Sequence, residues 1–62
     1  MRKYRIYATD LKKCKTPKEV ENFIQEEYGL YAICGVTVRH IWFLEIDLKA
    51  TNEQACKILN TI

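Results

Sequence analysis

The chain contains no serine, one proline (Pro17), one histidine (His40) and only two glycines among its 62 residues. Without serine there is neither a serine triad nor a nucleophile elbow. Gly29 and Gly35 stand too far from any lysine-bearing motif to form a phosphate-cradling loop. A cysteine nucleophile would need His40 beside Cys14, Cys34 or Cys56. The sequence places those three in a charged loop, before a turn and one residue past a helix core position. No C-x-x-C occurs, and an odd number of cysteines leaves any disulfide framework one thiol over. Reduced thiols in a cytoplasmic protein are therefore expected. Structural zinc sites bring their ligands in closely spaced pairs, so neither a metal site nor a cofactor is expected. An excess of one charge sign is also missing. Ten Lys/Arg against eight Asp/Glu leave +2, too little for the electrostatic footprint of a nucleic-acid or membrane binder. The only basic cluster, Lys12-Lys13-Cys14-Lys15, reads as a solvated loop. No apolar run is long enough to span a membrane. The charged start Met1-Arg2-Lys3-Tyr4-Arg5 has no apolar stretch behind it, so no signal peptide is expected.

What the chain does have is apolar residues at 48 % and aromatics at 11 %, enough for one folded domain over residues 1–62. At this length a domain buries only about 60 % of its unfolded surface, so stability is marginal and a partner or a second copy is a common support. Residues 3–9 alternate, with Tyr4, Ile6 and Ala8 on one side and Arg5, Tyr7 and Thr9 on the other, a half-buried strand. Thr16, Pro17 and Glu19 occupy the N-cap, N1 and N3 positions of a helix. Val20, Phe23, Ile24 and Tyr28 then form one apolar stripe, and Gly29 ends the helix. A second N-cap at Thr51, with Gln54 as its reciprocal partner, opens a helix striped by Ala55, Ile58, Leu59 and Ile62.

Between the helices, residues 36–48 are strand-like. Val36, Val38, Trp42, Leu44, Ile46 and Leu48 share one parity; Thr37, Arg39, Phe43, Glu45 and Asp47 share the other. A three-residue loop, Arg39-His40-Ile41, would pair Val38 with Trp42 and keep both apolar sets inside. The rival is one long strand preceded by a short strand at 30–34 and a turn at Gly35. The hairpin is preferred, giving β strands at 3–9, 35–39 and 41–48 and helices at 17–28 and 52–62. The expected fold is α+β: a βαββα two-layer sandwich whose three-stranded antiparallel sheet, in the order 2-3-1, carries both helices on one face. It is a ferredoxin-like arrangement short of its last strand. The first strand then has a free edge, suited to pairing with a second chain, including a homodimeric one.

The sheet face without helices is expected to carry Arg5, Tyr7, Thr37, Arg39, Phe43, Glu45 and Asp47. Tyr7 and Phe43 are large groups to leave wet, and a protein partner would cover them. The alternative is nucleic acid, with bases stacked on Tyr7 and Phe43 and phosphates met by Arg5 and Arg39. Glu45 and Asp47 lie close enough for a carboxylate pair, but on an open strand face they more often meet water or an arginine than do acid–base work. No catalytic residue is assigned.

The run Val36-Thr37-Val38-Arg39, a following strand, Ala50-Thr51 and a helix over 52–62 resemble DinI-like proteins, βαββα modulators of the RecA recombinase. The stretch Gly35 to Arg39 with Leu44 to Ala50 also looks like PurS, a non-catalytic subunit that dimerises and bridges larger subunits in purine biosynthesis. Both resemblances imply a small α+β protein that binds a partner and has no active site of its own. The reading is a regulator, inhibitor or adaptor, and its small size alone suggests a phage or mobile-element protein. The PurS likeness adds the alternative of an obligate subunit of a biosynthetic complex.

Overall fold

The two helices start where side chains can take up their first backbone N–H groups. In the computed structural model, which describes residues 1–62, α1 is Pro17–Tyr28 and the Thr16 hydroxyl accepts from the Glu19 N–H at 3.2 Å. The Glu19 carboxylate accepts a hydrogen bond from the Thr16 hydroxyl (3.2 Å) in place of the backbone bond of a full capping box. That box is complete at α2, Asn52–Thr61. Thr51 accepts from the Gln54 N–H (3.1 Å) and Gln54 from the Thr51 N–H (3.0 Å). Gly29 closes α1 at φ +63, a left-handed conformation in which glycine carries no Cβ penalty.

The strands are β1 Arg2–Ile6, β2 Ala32–Val36 and β3 Trp42–Ile46, antiparallel in the order β1-β3-β2. Their even-numbered residues face the helices. Ile6, Ala32, Cys34, Leu44 and Ile46 form one buried cluster with Val20 and Ile24 of α1 and Ile58 of α2. Both helices therefore cover the same face, and the domain is the two-layer α+β sandwich that the periodicities imply.

The elements nonetheless differ from expectation in extent. β1 ends at Ile6, because Ala8–Asp10 form a short 3-10 turn, so Ala8 is exposed rather than buried. β3 ends at Ile46; Asp47 turns the chain by accepting from the Ala50 N–H and, through its carboxylate, the Lys49 N–H. Leu48 is thrown to the surface at 66 % exposure. β2 lies three residues earlier than expected. Val36, not Val38, faces Trp42, and Val38 stands at the hairpin tip, 97 % exposed.

The shift has a local cause. The loop is Val38-Arg39-His40, closed by His40 N–H to Thr37 O and Thr37 N–H to Ile41 O, both 2.9 Å. Its last residue must adopt positive φ, and His40 does so at +63. A loop ending at Ile41 would force a β-branched side chain into that conformation, which is far costlier than histidine there. Thr37 reinforces the turn by accepting from the Arg39 and Ile41 N–H groups. The slide of two in register leaves the parity intact, so the core face survives.

Loop 12–14 is also more than a solvated charge run. The N–H groups of Lys12, Lys13 and Cys14 converge on the main-chain oxygen of Ile62 at 2.9–3.0 Å. This fastens the end of α2 beneath the sheet, and Cys14 is buried there. No helix is long and apolar enough to cross a membrane.

Candidate interaction surface

The odd-numbered strand residues form the sheet face left bare by the helices. Two rows across it follow from the register. Lys3, Glu45 and Ile33 make one; Arg5, Phe43 and Gly35 make the next. Beyond them the Asp47 N–H donates to the Tyr31 carbonyl at 2.9 Å, which continues the pairing by one residue on β2.

Of the residues assigned from sequence, Arg5, Phe43 and Glu45 lie on this face as expected, and Asp47 follows at the end of β3. Arg39 does not: it sits in the hairpin loop Val38-Arg39-His40, one residue earlier than the expected 39–41, and β2 has already ended at Val36. Tyr7 is not on the sheet either, since β1 has already ended. It is 55 % exposed, and the Arg5 guanidinium lies 5.3 Å from its ring centroid. Thr37 is spent on the turn. The four-residue run Val36 to Arg39 therefore has only its first member in a strand.

The face has gained Tyr31 and Ile33, which sequence reasoning missed. Tyr31 is 56 % exposed. Phe43 lies over Gly35: a Cβ on Gly35 would meet the ring at 2.7 Å. An aromatic ring covering a glycine on a neighbouring strand replaces the packing that the glycine cannot supply. Tyr31, Ile33 and Phe43 thus make an apolar strip along β2, with Glu45 and Asp47 in the centre and Lys3 and Arg5 along β1. None of these four charged residues is in an ion pair. The two ion pairs present are Lys18–Glu21 and Glu53–Lys57, both within helices.

The two sheet edges are treated differently. Glu21 of α1 accepts from the outward Cys34 N–H at 2.9 Å and so occupies the middle of the β2 edge. Burial, followed by the nearby Glu21 carboxylate, pushes the Cys34 thiol up to about 11. Cys14 is raised as well, by burial first and Glu19 second. Cys56 is exposed on α2. Cys14 and Cys34 belong to the same buried cluster, and no group of three or more His, Cys, Asp or Glu side chains is placed to hold a metal ion. Along β1 the outward N–H and C=O groups of Lys3 and Arg5 have no partner of any kind within the chain. That assignment follows from the alternation of an antiparallel ladder: odd residues of β3 bond to β2, as Asp47 and Ile41 show, so even residues of β1 bond to β3.

No protein-family model matches the chain, and no curated protein or solved structure matches it.

Proposed function

We propose that this chain is a small non-enzymatic module that binds another protein through its bare sheet face or its β1 edge, acting as a regulator, inhibitor or adaptor. The observation that carries this reading is the apolar strip Tyr31–Ile33–Phe43 on a sheet face that no helix covers. Large apolar groups gathered on one uncovered surface favour a partner that removes them from water, at about 25 cal/mol per Å² buried. The charges beside the strip are unpaired within the chain and therefore free to set orientation.

A nucleic-acid partner is less well supported than the sequence suggests. Arg39 has moved into the hairpin loop and Tyr7 stands past the end of β1 under the Arg5 guanidinium, whereas Glu45 and Asp47 remain on the face to repel phosphate. A catalytic role has no convergent nucleophile, acid and base behind it. The resemblances to DinI-like modulators and to PurS favour the same class of function, and the reading places the protein in the cytoplasm with reduced thiols.

Affinity capture from native lysate, with and without nuclease, tests the proposal. A protein retained after nuclease by the wild type, and lost from a Tyr31→Ala/Ile33→Ala or an Arg5→Ala variant that still melts cooperatively, supports it. Enrichment that vanishes with nuclease overturns it in favour of nucleic acid.

A further inference from the structure

The β1 edge carries a chemical preference that the bare face does not. Its outward backbone groups belong to Lys3 and Arg5, and their side chains project on the bare side of the sheet, both exposed. A strand added here would place alternate side chains directly opposite these two cations. Its intervening side chains would lie on the helix side of the sheet. There, at the end of β1, an open cleft of about 260 Å³ is lined mainly by apolar side chains, among them Ile6, Leu11, Leu59 and Ile62. Arg5, Tyr7 and Asp10 complete its lining, so one cation balances one anion there and the apolar side chains decide what enters. The β2 edge offers nothing equivalent, because Glu21 already holds the Cys34 N–H.

We infer that the β1 edge takes up an extended peptide segment of a partner protein in which acidic and apolar residues alternate, the acids facing Lys3 and Arg5 and an apolar residue entering the cleft. The inference rests on the protein-binding reading and deepens it by naming the chemistry of the bound segment. A second copy of this chain is disfavoured at the edge. Only outward-facing residues can exchange backbone bonds across a new pair. Every antiparallel register that centres on β1 then sets Lys3 or Arg5 against Lys3 or Arg5 of the second copy. Like charges directly opposite destabilise a strand pair.

The test uses the whole chain with two heptapeptides, Thr-Glu-Val-Glu-Val-Glu-Thr and its counterpart with lysine for each glutamate, read by amide chemical shifts. Two exposed charge pairs make the glutamate peptide about tenfold the tighter at low salt. The difference should narrow as salt screens it, and the Lys3 and Arg5 amides should shift and gain exchange protection. Lys3→Glu/Arg5→Glu should reverse the preference. Arg5→Pro should bind more weakly than Arg5→Ala, because it removes an outward N–H without breaking a sheet bond; if the proline variant does not fold, the charge reversal still decides. Equal affinity for the two peptides overturns the inference. So does a shift pattern confined to Tyr31, Ile33 and Phe43, or self-association of the free chain that Arg5→Pro abolishes. In those cases the protein-binding reading survives or falls separately, on the nuclease-resistant capture.

Discussion

Replacing Gly35 by alanine should destabilise the domain, although alanine is ordinarily the better strand residue. The added Cβ would stand 2.7 Å from Phe43 Cζ and 2.9 Å from Cε1, against about 3.5–4.0 Å for comfortable carbon contact. Gly35 is held by the β2–β3 ladder opposite Phe43, so the ring has to move. It lies on the open face and can swing outward, at the expense of roughly 50–80 Å² of apolar contact, or about 1–2 kcal/mol. Against this, alanine recovers about 0.5–1 kcal/mol of the backbone entropy that glycine loses in a strand. The net expectation is a loss of about 0.5–1 kcal/mol in the wild type, a fall of roughly 2–8 °C in Tm for a domain of this size. In a Phe43→Ala background the obstruction is gone, and the same Gly35→Ala change should stabilise by about 0.5–1 kcal/mol. Urea unfolding of the four proteins closes the double-mutant cycle, with a coupling of about 1–2 kcal/mol. Additive effects, within about 0.5 kcal/mol, would refute the placement of the ring over the glycine and with it the apolar strip.

Thiol chemistry should separate the cysteines. With Cys34 near 11 against the usual 9, its thiolate population at pH 8 is down about a hundredfold. Ellman's reagent should therefore titrate one fast thiol, Cys56, in the native state and three in denaturant; two fast native thiols would contradict the burial of Cys14 and Cys34. The same raised Cys34 value sets a sign for alkaline stability. The folded chain holds a proton that the unfolded chain releases near pH 9, so unfolding free energy should fall as pH rises from about 9 to about 11. A flat profile across that window in a Cys14→Ala/Cys56→Ala background would remove the argument. His40→Val should cost about 1–2 kcal/mol by forcing a β-branched residue to φ +63, whereas His40→Gly should stay within about 0.5 kcal/mol of wild type; equal effects would mean that the turn does not depend on that conformation. Glu21→Ala should cost about 1–2 kcal/mol by leaving the Cys34 N–H without its partner, and it should speed hydrogen exchange at Cys34 before it affects Leu44.

How much of this could be read beforehand varied with the kind of signal. Helix starts at Thr16 and Thr51 were legible because a cap is a local event between residues three apart. The face of each strand was legible because parity survives any slide of two. The hairpin's placement is not legible from periodicity, since strand-like residues continue through the turn and Val38 resembles a core residue. The one local signal that could have fixed it is the contrast of His40 with Ile41 at the position needing positive φ. Periodicity without that contrast displaces β2, which leaves Tyr31 and Ile33 off the interaction face and puts Arg39 on it. The earlier strand of the rival reading overlaps the observed β2, but its turn at Gly35 does not exist. The burial of Cys14 was illegible for a different reason: loop 12–14 is ordered by the main-chain oxygen of Ile62, almost fifty residues away, and no periodic pattern records such a bond.

Site-specific photocrosslinking tests the binding surface most directly. A benzophenone amino acid at position 33 on the bare sheet face or at position 5 on β1 is compared with one at Glu26 or Asn60, exposed positions on the helix side. Nuclease-resistant crosslinks to protein from positions 33 or 5, and none from 26 or 60, are the expected result. Crosslinks to nucleic acid, or crosslinks to protein only from the helix side, would contradict a protein-binding sheet.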